Sequence, residues 1–229
     1  MEEAFRLVEQ LAIEGDETIY LSVSHDAAAE MTVKRSKFIC NLRRIGDRSQ
    51  FDSFMQEITS LHPKANHHCW AYIVRNPSKQ EHFSDAGEPS GTAGRPILGA
   101  LKQSSLENVA AIVSRYFGGI KLGVKGLIDA YGDCARLAIS LADTAPFSPH
   151  SLVRFSVSYD LYNSLLQTMS KFNIPGKPVN MEFAELISGE ILVPDSLLGA
   201  LKDKMDEIIP PKYRHSIMIS KTEDRETAR

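Results

Sequence analysis

Glycine distribution is the feature of the sequence that most restricts how this protein folds. Nine of the 14 glycines lie between Gly87 and Gly132. Glycine adopts backbone conformations that other residues avoid, and it lets another group approach the main chain closely. Most of these glycines fall in residues 84–96, SDAGEPSGTAGRP, and in residues 115–126, RYFGGIKLGVKG. We therefore expect both segments to turn sharply between regular elements.

The second of these segments predicts an anion-binding turn. It leaves an apolar strand, turns at Gly118 and Gly119, and enters a helix at Gly123 with Lys121 and Lys125 near its start. Free backbone N–H groups and the helix dipole attract anions at such a helix N-terminus. The segment matches neither the Walker A loop nor the GxGxxG dinucleotide motif. The residues leave open the alternative of a turn that serves structure alone.

Cysteine usage and the N-terminal sequence indicate a cytoplasmic protein. The 229 residues contain three cysteines, Cys40, Cys69 and Cys134, which are odd in number and far apart. This argues against a disulfide framework and fits a reducing compartment. Residues 1–17 are acidic and lack the basic and apolar regions of a secretory signal. No apolar run approaches the roughly 20 residues that cross a bilayer, so we expect no membrane partner.

Charge is distributed unevenly along the sequence. The net charge is −3, but residues 1–30 hold eight acidic side chains and one basic one. Residues 31–150 hold 15 basic and 10 acidic side chains. A mildly basic middle is compatible with a surface that faces phosphates, and equally with an ordinary solvated surface. It is far less basic than a dedicated DNA-binding protein.

Hydrophobic periodicity predicts an α+β first domain. Apolar residues at helical spacing predict helices over residues 2–13, 51–61 and 123–141, the second capped by Asp47 or Ser49. Alternating or apolar runs predict strands over residues 18–24, 30–45, 68–74 and 109–117. Residues 75–96 are polar and rich in glycine and proline, so they are interpreted as a long loop of a kind that is often functional.

A second domain follows a predicted linker that contains Pro146 and Pro149. It has a βαββαβ order, with a helix capped by Asp160, a turn at Ser188 and Gly189, and a helix over residues 194–209. This order is that of the ferredoxin-like fold. The predicted organisation is an N-terminal helical extension (1–17), a first domain (18–142), a linker (143–150), a ferredoxin-like domain (151–220) and a charged tail (221–229).

Four blocks of sequence, in this order and spacing, resemble the IMPACT family and its bacterial YigZ-like members. They are KRSKFI (34–39), HHCWAY (67–72), the 84–96 segment, and SRYFGGIKLG (114–123) continuing to DAYG (129–132). The resemblance covers about residues 18–142. It implies a first domain built like a small-subunit ribosomal protein domain and domain IV of elongation factor G. It also implies translation-related binding of RNA, the ribosome or a translation-control protein.

We expect the ligand surface where the 84–96 loop meets the 115–126 turn. There, arginine and lysine side chains would contact phosphates, and glycines would permit close approach of the backbone. Tyr116, beside a strand end, is a base-stacking candidate. The remaining candidates are acidic or hydroxyl side chains of the loop, and the carboxylates are also expected to pair with Arg95 or Arg115. The predicted site comprises Asp85, Glu88, Ser90, Arg95, Arg115, Tyr116, Gly118, Gly119, Lys121, Gly123 and Lys125.

Two other functions remain open at this stage. One is a hydrolase or other enzyme that acts on an anionic metabolite with Asp85, Glu88 and His68. The other is a protein–protein module whose glycine-rich loop docks a partner. We expect no metal and no cofactor, because adjacent strand residues point to opposite faces, so only His67 and Cys69 could share a side. A structural zinc site requires four ligands.

Overall fold

The computed structural model describes residues 20–75, 79–171, 174, 177–208, 217–221 and 225–226. The helix predicted over residues 2–13 lies outside these residues, as do most residues of the predicted tail. The described residues form two compact units that divide between Pro146 and Phe147. Both units mix helices with β-sheet, which is consistent with the α+β class expected from the sequence.

Unit 1 is built on a five-stranded antiparallel sheet. In order across the sheet, its strands are β2 (Ala27–Val33), β3 (Ser36–Arg44), β6 (Val109–Tyr116), β4 (His67–Val74) and β5 (Gln80–Ser84). A short strand, β1 (Tyr20–Val23), lies outside this sheet, and Glu107 N donates a hydrogen bond to Leu21 O at 2.9 Å.

Helices cover both faces of this sheet. Helix α1 (Arg48–Leu61) packs Phe51, Phe54 and Ile58 on one face. Helices α2 (Gly94–Gln103) and α3 (Gly123–Leu141) pack on the other face. The central strand β6 is accordingly apolar on both sides. Its Ala110 and Ile112 join the α1 core, and Val109, Ala111 and Val113 join the α2–α3 core.

The start of α1 agrees with the sequence. The Asp47 carboxylate accepts a hydrogen bond from Gln50 N at 2.9 Å, so Asp47, rather than Ser49, is the N-cap. Such a side-chain acceptor satisfies one of the free N–H groups of the first turn. The helix ends where His62 N donates to Ile58 O, just before Pro63.

The long loop predicted over residues 75–96 is wrong in part. It contains the edge strand β5, which pairs with β4, and its last residues begin α2. Helix α2 was missed because its glycine-rich start resembles a loop and its N-cap, Ala93, has no side-chain acceptor. The acceptor is supplied instead by Asp85, which lies eight residues earlier in the sequence.

Unit 2 contains the predicted βαββαβ order of elements. These elements are β8 (His150–Val157), α4 (Tyr159–Lys171), β9 (Val179–Phe183), β10 (Ile187–Pro194), α5 (Asp195–Ile208) and β11 (Ile217–Lys221). The four strands form an antiparallel sheet in the order β11-β8-β10-β9, and its apolar face packs on α4 and α5. Helix α4 begins at Tyr159, one residue before the predicted cap Asp160.

One turn prediction in this region is wrong, and the predicted linker contains a strand. The turn expected at Ser188 and Gly189 lies at residues 184–186, where Ala184 N donates to Leu186 O. Gly189 lies within β10, and glycine is required there because a Cβ would approach Phe155 Cζ to 2.9 Å and Met181 Sδ to 2.5 Å. The predicted linker is mostly strand, since β7 (Thr144–Ser148) occupies it and pairs with β12 (Arg225–Glu226).

Candidate functional site

Four segments meet at the end of the unit 1 sheet where β6 ends; we call residues 34–36, 66–67, 84–94 and 115–126 the glycine-rich end. Asn66 links two of them, because its N donates to Arg115 O at 2.8 Å and its Oδ1 accepts from Phe117 N at 2.7 Å. Ser36 Oγ accepts from Gly118 N at 3.2 Å. His67 Nδ1 lies 2.9 Å from Ala86 O. The turn after β6 is therefore fixed by its neighbours.

A buried ion pair joins the 84–96 loop to the 115–126 segment. Arg115 Nη1 donates to Glu88 Oε1 at 2.5 Å, and the two side chains are only 6% and 4% exposed. Tyr131 Oη donates to the same Glu88 oxygen at 2.7 Å. The two predicted segments thus meet, and the predicted carboxylate–arginine pairing is confirmed for Glu88 and Arg115.

This environment does not suit Arg115 to the predicted role of a surface phosphate ligand. The guanidinium bonds to Glu88, makes a long contact of 3.4 Å to Ser36 Oγ, and is shielded from solvent. An arginine that is buried with its counter-ion holds two segments together. We therefore assign Arg115 a positioning role beneath the surface.

Cys69 and Tyr131 complete the buried network. Cys69 Sγ donates to Asp85 O at 2.9 Å and contacts Tyr131 Oη at 3.3 Å. Burial raises the pKa of the Cys69 thiol to about 12, and burial also raises the pKa of Tyr131. Both groups are therefore neutral at neutral pH, and the Tyr131 hydroxyl keeps the proton that it donates to Glu88.

Asp85 organises the loop from within. Its carboxylate accepts hydrogen bonds from Gly91 N, Ala93 N and Gly94 N at 2.8–2.9 Å, which caps α2 from a distance. Burial alone would raise the pKa of Asp85, but these three donors and the nearby Arg95 lower it, and the net shift is downward. Because both oxygens are occupied, Asp85 maintains the loop conformation.

The glycines of the turn are required for different reasons. A Cβ at Gly118 would lie 2.1 Å from the backbone carbonyl atoms of Arg35, so the β2–β3 turn leaves no room for a side chain. Gly119 and Gly123 have φ of +83° and +75°, where residues with a Cβ are strained. A Cβ at Gly119 or Gly123 would meet no described atom within 4 Å, so the backbone there is open.

Exposed basic side chains surround this open backbone. The sequence predicted Arg95, Lys121 and Lys125, and all three are exposed. The close approach of Gly118 to Arg35 adds two more, Lys34 and Arg35, which occupy a tight turn with φ of 44° and 67°. Sequence reasoning missed these two as ligands, although the pair of adjacent basic residues between two strands was a usable signal.

Four of these basic side chains lack an acidic partner. Within the residues that the structure describes, no carboxylate forms an ion pair with Lys34, Arg35, Lys121 or Lys125. The nearby Lys37 differs, because it pairs with Glu30 at 2.7 Å. The acidic groups Asp85 and Glu88 are already occupied. The outer surface of the glycine-rich end is therefore net positive.

Tyr116 and Phe117 differ in how far their rings are exposed to solvent. Tyr116, the predicted stacking residue, is half-buried, and its hydroxyl lies 3.1 Å from His62 Nδ1. Phe117, the last residue of the apolar strand predicted over residues 109–117, is 46% exposed, and the Arg115 guanidinium lies 5.5 Å from its ring centroid. Phe117 is thus the better base-stacking candidate. Trp70 and Tyr72, in the strand predicted over residues 68–74, pack against Phe51 of α1.

The groups proposed for an enzyme do not converge. His68 Nδ1 lies 2.8 Å from Ser114 Oγ on the α1 side of the sheet, whereas its neighbours His67 and Cys69 contact the loop that carries Asp85 and Glu88. Ser90 is exposed in the loop. Among the described residues, no group of three or more His, Cys, Asp or Glu side chains is placed to hold a metal ion.

Comparison with known proteins identifies the class. The Impact N-terminal domain family matches residues 34–139. An IMPACT family member of Haemophilus influenzae is 36% identical over 157 residues, which cover 68% of this chain and 76% of the relative. YigZ of Escherichia coli is 30% identical over 175 residues, covering 76% of this chain and 85% of the relative. The protein belongs to the IMPACT family, as its four sequence blocks indicated.

Similarity to known proteins is not limited to unit 1. YvyE of Bacillus subtilis is 43% identical, over 113 residues that cover 49% of this chain and 52% of that protein. The crystal structure of a hypothetical protein matches with a TM-score of 0.61 at 27% identity, covering 90% of this chain and 98% of that one.

Within the part of the sequence that the structure describes, no helix combines the length and the apolar character needed to span a membrane.

Proposed function

We propose that this protein binds RNA through its glycine-rich end and acts as a translation-related regulator. The observation that carries the proposal is the set of exposed basic side chains around an exposed aromatic ring. Lys34, Arg35, Lys121 and Lys125 have no acidic partner among the described residues. Phe117, which is exposed, precedes Gly118, and the backbone of Arg35 approaches Gly118 closely. Cations that track phosphates and an aromatic face on which a base stacks are the two elements of single-strand binding.

The backbone of the turn supports the same proposal. Helix α3 begins at Gly123, and among the described residues its N-terminus lacks a capping side chain. Its first N–H groups and its dipole favour an anion. The glycines at 119 and 123 leave space above the main chain, so a phosphate can approach it while Lys121 and Lys125 flank it.

The buried network would keep this surface in its binding conformation before RNA binds. Arg115 anchors the end of β6, and Glu88 ties it to the loop and to α3 through Tyr131. A binding surface built on such a rigid base loses less conformational entropy when its ligand binds. In this proposal Asp85, Glu88, Arg115 and Tyr131 shape the site, and the exposed basic groups contact the ligand.

The translation-related part of the proposal rests on family membership and on the resemblance stated above. That resemblance likens the first unit to domain IV of elongation factor G, and the element order of the second unit predicts a ferredoxin-like domain. The βαββαβ order of unit 2, with its sheet order β11-β8-β10-β9, supports the second assignment. We place the RNA partner on the ribosome or among the RNAs that engage it.

The test is charge reversal at two of the lysines. A Lys121→Glu/Lys125→Glu variant should bind a fluorescein-labelled single-stranded RNA more weakly by about tenfold or more in anisotropy titrations, since each phosphate contact contributes to affinity. Its salt dependence should also become shallower by about 0.7 per lost contact for a single strand. Both lysines are exposed, so the melting curve should hardly change.

A matched control separates a local surface from net charge. Lys177→Glu/Lys202→Glu changes the total charge equally at exposed lysines of unit 2. It should leave RNA affinity nearly unchanged. Equal weakening by both double variants would show that only overall charge matters and would refute the glycine-rich end as the binding surface. Full affinity of a folded Lys121→Glu/Lys125→Glu protein would refute it as well.

A further inference from the structure

The β9–β10 hairpin of unit 2 exposes large apolar side chains at one edge of its sheet. Strand β9 is the terminal strand of this sheet, and no further strand among the described residues pairs with its outer edge. Phe183 and Leu186 are 62% and 43% exposed, and Tyr159, at the start of α4, is 52% exposed. Tyr159 Oη donates to Ala184 O at 3.3 Å, which places this side chain beside the turn of the hairpin. We call Tyr159, Phe183 and Leu186 the hairpin patch; exposed apolar groups of this kind mark an interaction site.

Negative charge surrounds the hairpin patch. Asp160, Glu182 and Glu185 are each adjacent in sequence to one of its members, and all three are exposed. In the part of the protein that the structure describes, none of these carboxylates forms an ion pair. The basic residue nearest to β9 in the sequence is Lys177, which is exposed. The patch therefore favours a positively charged partner and disfavours RNA.

The two faces of β9 differ in chemistry. Phe183 pairs directly with Ile187, which belongs to the core under α4 and α5, so Phe183 lies at the border of the helix-covered face. Glu182 pairs with Ser188, whose Oγ donates to Ser156 Oγ on the opposite face. Consecutive residues of a strand point to opposite faces. A strand added beside β9 would therefore meet an aromatic side chain on one face and a carboxylate on the other.

We propose that β9 receives an extended segment of a partner protein, and that this segment alternates large apolar residues with basic ones. Main-chain hydrogen bonds to the free edge of β9 supply affinity in this mode of recognition, and alternate side chains supply specificity. Apolar side chains of the segment would pack on Phe183 and Tyr159, while its basic side chains pair with Glu182 and Glu185. The proposal goes beyond RNA binding and does not rest on it, because it uses residues of unit 2 alone.

The local geometry of β9 limits which strands can be added. The register with β10 shifts between Ser188 and Glu190, and Asn180 has φ of 53°, so β9 is regular only around Glu182 and Phe183. A bulge of this kind twists an edge and discourages indiscriminate pairing. The match of side chains therefore decides which segment binds. A second copy of this protein matches poorly, because two hairpin patches would bring the same carboxylates together.

Fluorescence anisotropy with synthetic peptides tests the proposal on the full-length protein. The probe is a short fluorescein-labelled peptide that alternates valine and arginine, which should bind, whereas a peptide that alternates valine and glutamate should not. A peptide with the same valines and arginines in two separate blocks should bind more weakly, because it cannot match both faces of β9 at once. N-methylation of the probe backbone should abolish binding, because it removes the main-chain donors. Equal binding of the alternating, block and N-methylated peptides would indicate charge attraction alone and would overturn the proposal.

Two double variants locate the binding site of the probe. Phe183→Ser/Leu186→Ser removes apolar surface without changing the charge and should weaken binding of the alternating peptide by about fivefold. Glu182→Gln/Glu185→Gln should weaken it by about threefold and also make it less sensitive to salt. All four side chains are exposed, so the melting curves should hardly change.

Matched controls carry the same chemical changes at other exposed positions. Leu61→Ser removes an exposed leucine of α1, and Asp129→Asn/Asp203→Asn removes two exposed carboxylates. Both control proteins should bind the alternating peptide with unchanged affinity. Equal weakening by the controls and by the hairpin-patch variants would overturn the proposal, as would full affinity of the folded patch variants.

The two proposals fail separately. If RNA binds through Lys121 and Lys125 but the alternating peptide does not bind the unsubstituted protein, the β9 proposal fails and the RNA surface stands. If no RNA is bound but the peptide binds at the hairpin patch, the RNA function fails and the β9 proposal stands. Sedimentation at several concentrations completes the test, because a dimer that Phe183→Ser/Leu186→Ser abolishes would show that a second copy occupies the edge and would overturn the proposal.

Discussion

Removing Arg115 should destabilise unit 1 without any direct loss of an exposed phosphate ligand. Arg115→Met would leave the Glu88 carboxylate, 4% exposed, without its counter-ion and facing the Tyr131 hydroxyl alone. Taking one partner from a buried pair costs about 3–5 kcal/mol. For a unit of this size we expect the melting temperature to fall by about 10–20 °C.

The assay can report on unit 1 alone. The protein has a single tryptophan, Trp70, and it lies in β4. Urea unfolding followed by Trp70 fluorescence therefore measures this unit even if unit 2 unfolds separately. The matched control is Arg136→Met, which breaks an exposed pair with Asp133 and should cost less than about 1 kcal/mol.

A double variant tests whether charge, and not packing, is the cause. In Arg115→Met/Glu88→Gln the carboxamide still accepts the Tyr131 hydrogen bond, and no buried charge remains. This protein should be more stable than Arg115→Met alone, because the uncompensated carboxylate is gone. The reasoning is refuted if Arg115→Met costs no more than Arg136→Met, or if the double variant is less stable than the single one.

Three further outcomes follow from the same geometry. Asp85→Asn should lower the free energy of unfolding by about 1–2 kcal/mol at neutral pH, because the cap of α2 is lost. The folded state lowers the pKa of Asp85, so the stability that its carboxylate contributes is complete above the ordinary Asp pKa and is lost as the pH falls through the lowered, folded-state pKa. In acid, the urea midpoint of Asp85→Asn should therefore depend less on pH than that of the unsubstituted protein. The three buried cysteines should resist iodoacetamide until the protein unfolds, since burial raises the pKa of each thiol; rapid labelling of Cys69 in the native state would contradict this. Gly118→Ala should lower the melting temperature more than Gly119→Ala does. The first substitution forces the backbone to move, whereas the second adds about 1–2 kcal/mol of conformational strain. The reverse order of melting temperatures would contradict the close approach of Gly118 to Arg35.

Local signals in the sequence predicted most elements of the fold. Helix α1 was recognised from Asp47 and its apolar spacing, and the bounds of α3, Gly123–Leu141, agree with the prediction. Helix α2 was missed because the residue that caps it, Asp85, is remote in sequence. Propensity and periodicity describe neighbours along the sequence, so an element stabilised by a distant side chain escapes them.

The sequence predicted that the two glycine-rich segments would meet, but not which of their side chains would be buried. The sequence indicated that the 84–96 loop and the 115–126 turn would meet, and the Glu88–Arg115 pair joins them. It could not show that this pair is buried, or that Phe117 is exposed, since both depend on packing across the sheet. Lys34 and Arg35 join the surface through contact with Gly118, which is 83 residues farther along the sequence than Arg35.

The central place of β6 has a consequence for how unit 1 is made. Strands β3 and β4 each pair with β6, although both are synthesised well before Val109–Tyr116. Until that strand is available, the inner edges of β3 and β4 have no native partner. Closing such long loops costs conformational entropy before strand pairing contributes any stability, so unit 1 should fold slowly relative to a helical protein. Unit 1 therefore completes its sheet late, in one cooperative step that waits for the strand leading into the glycine turn.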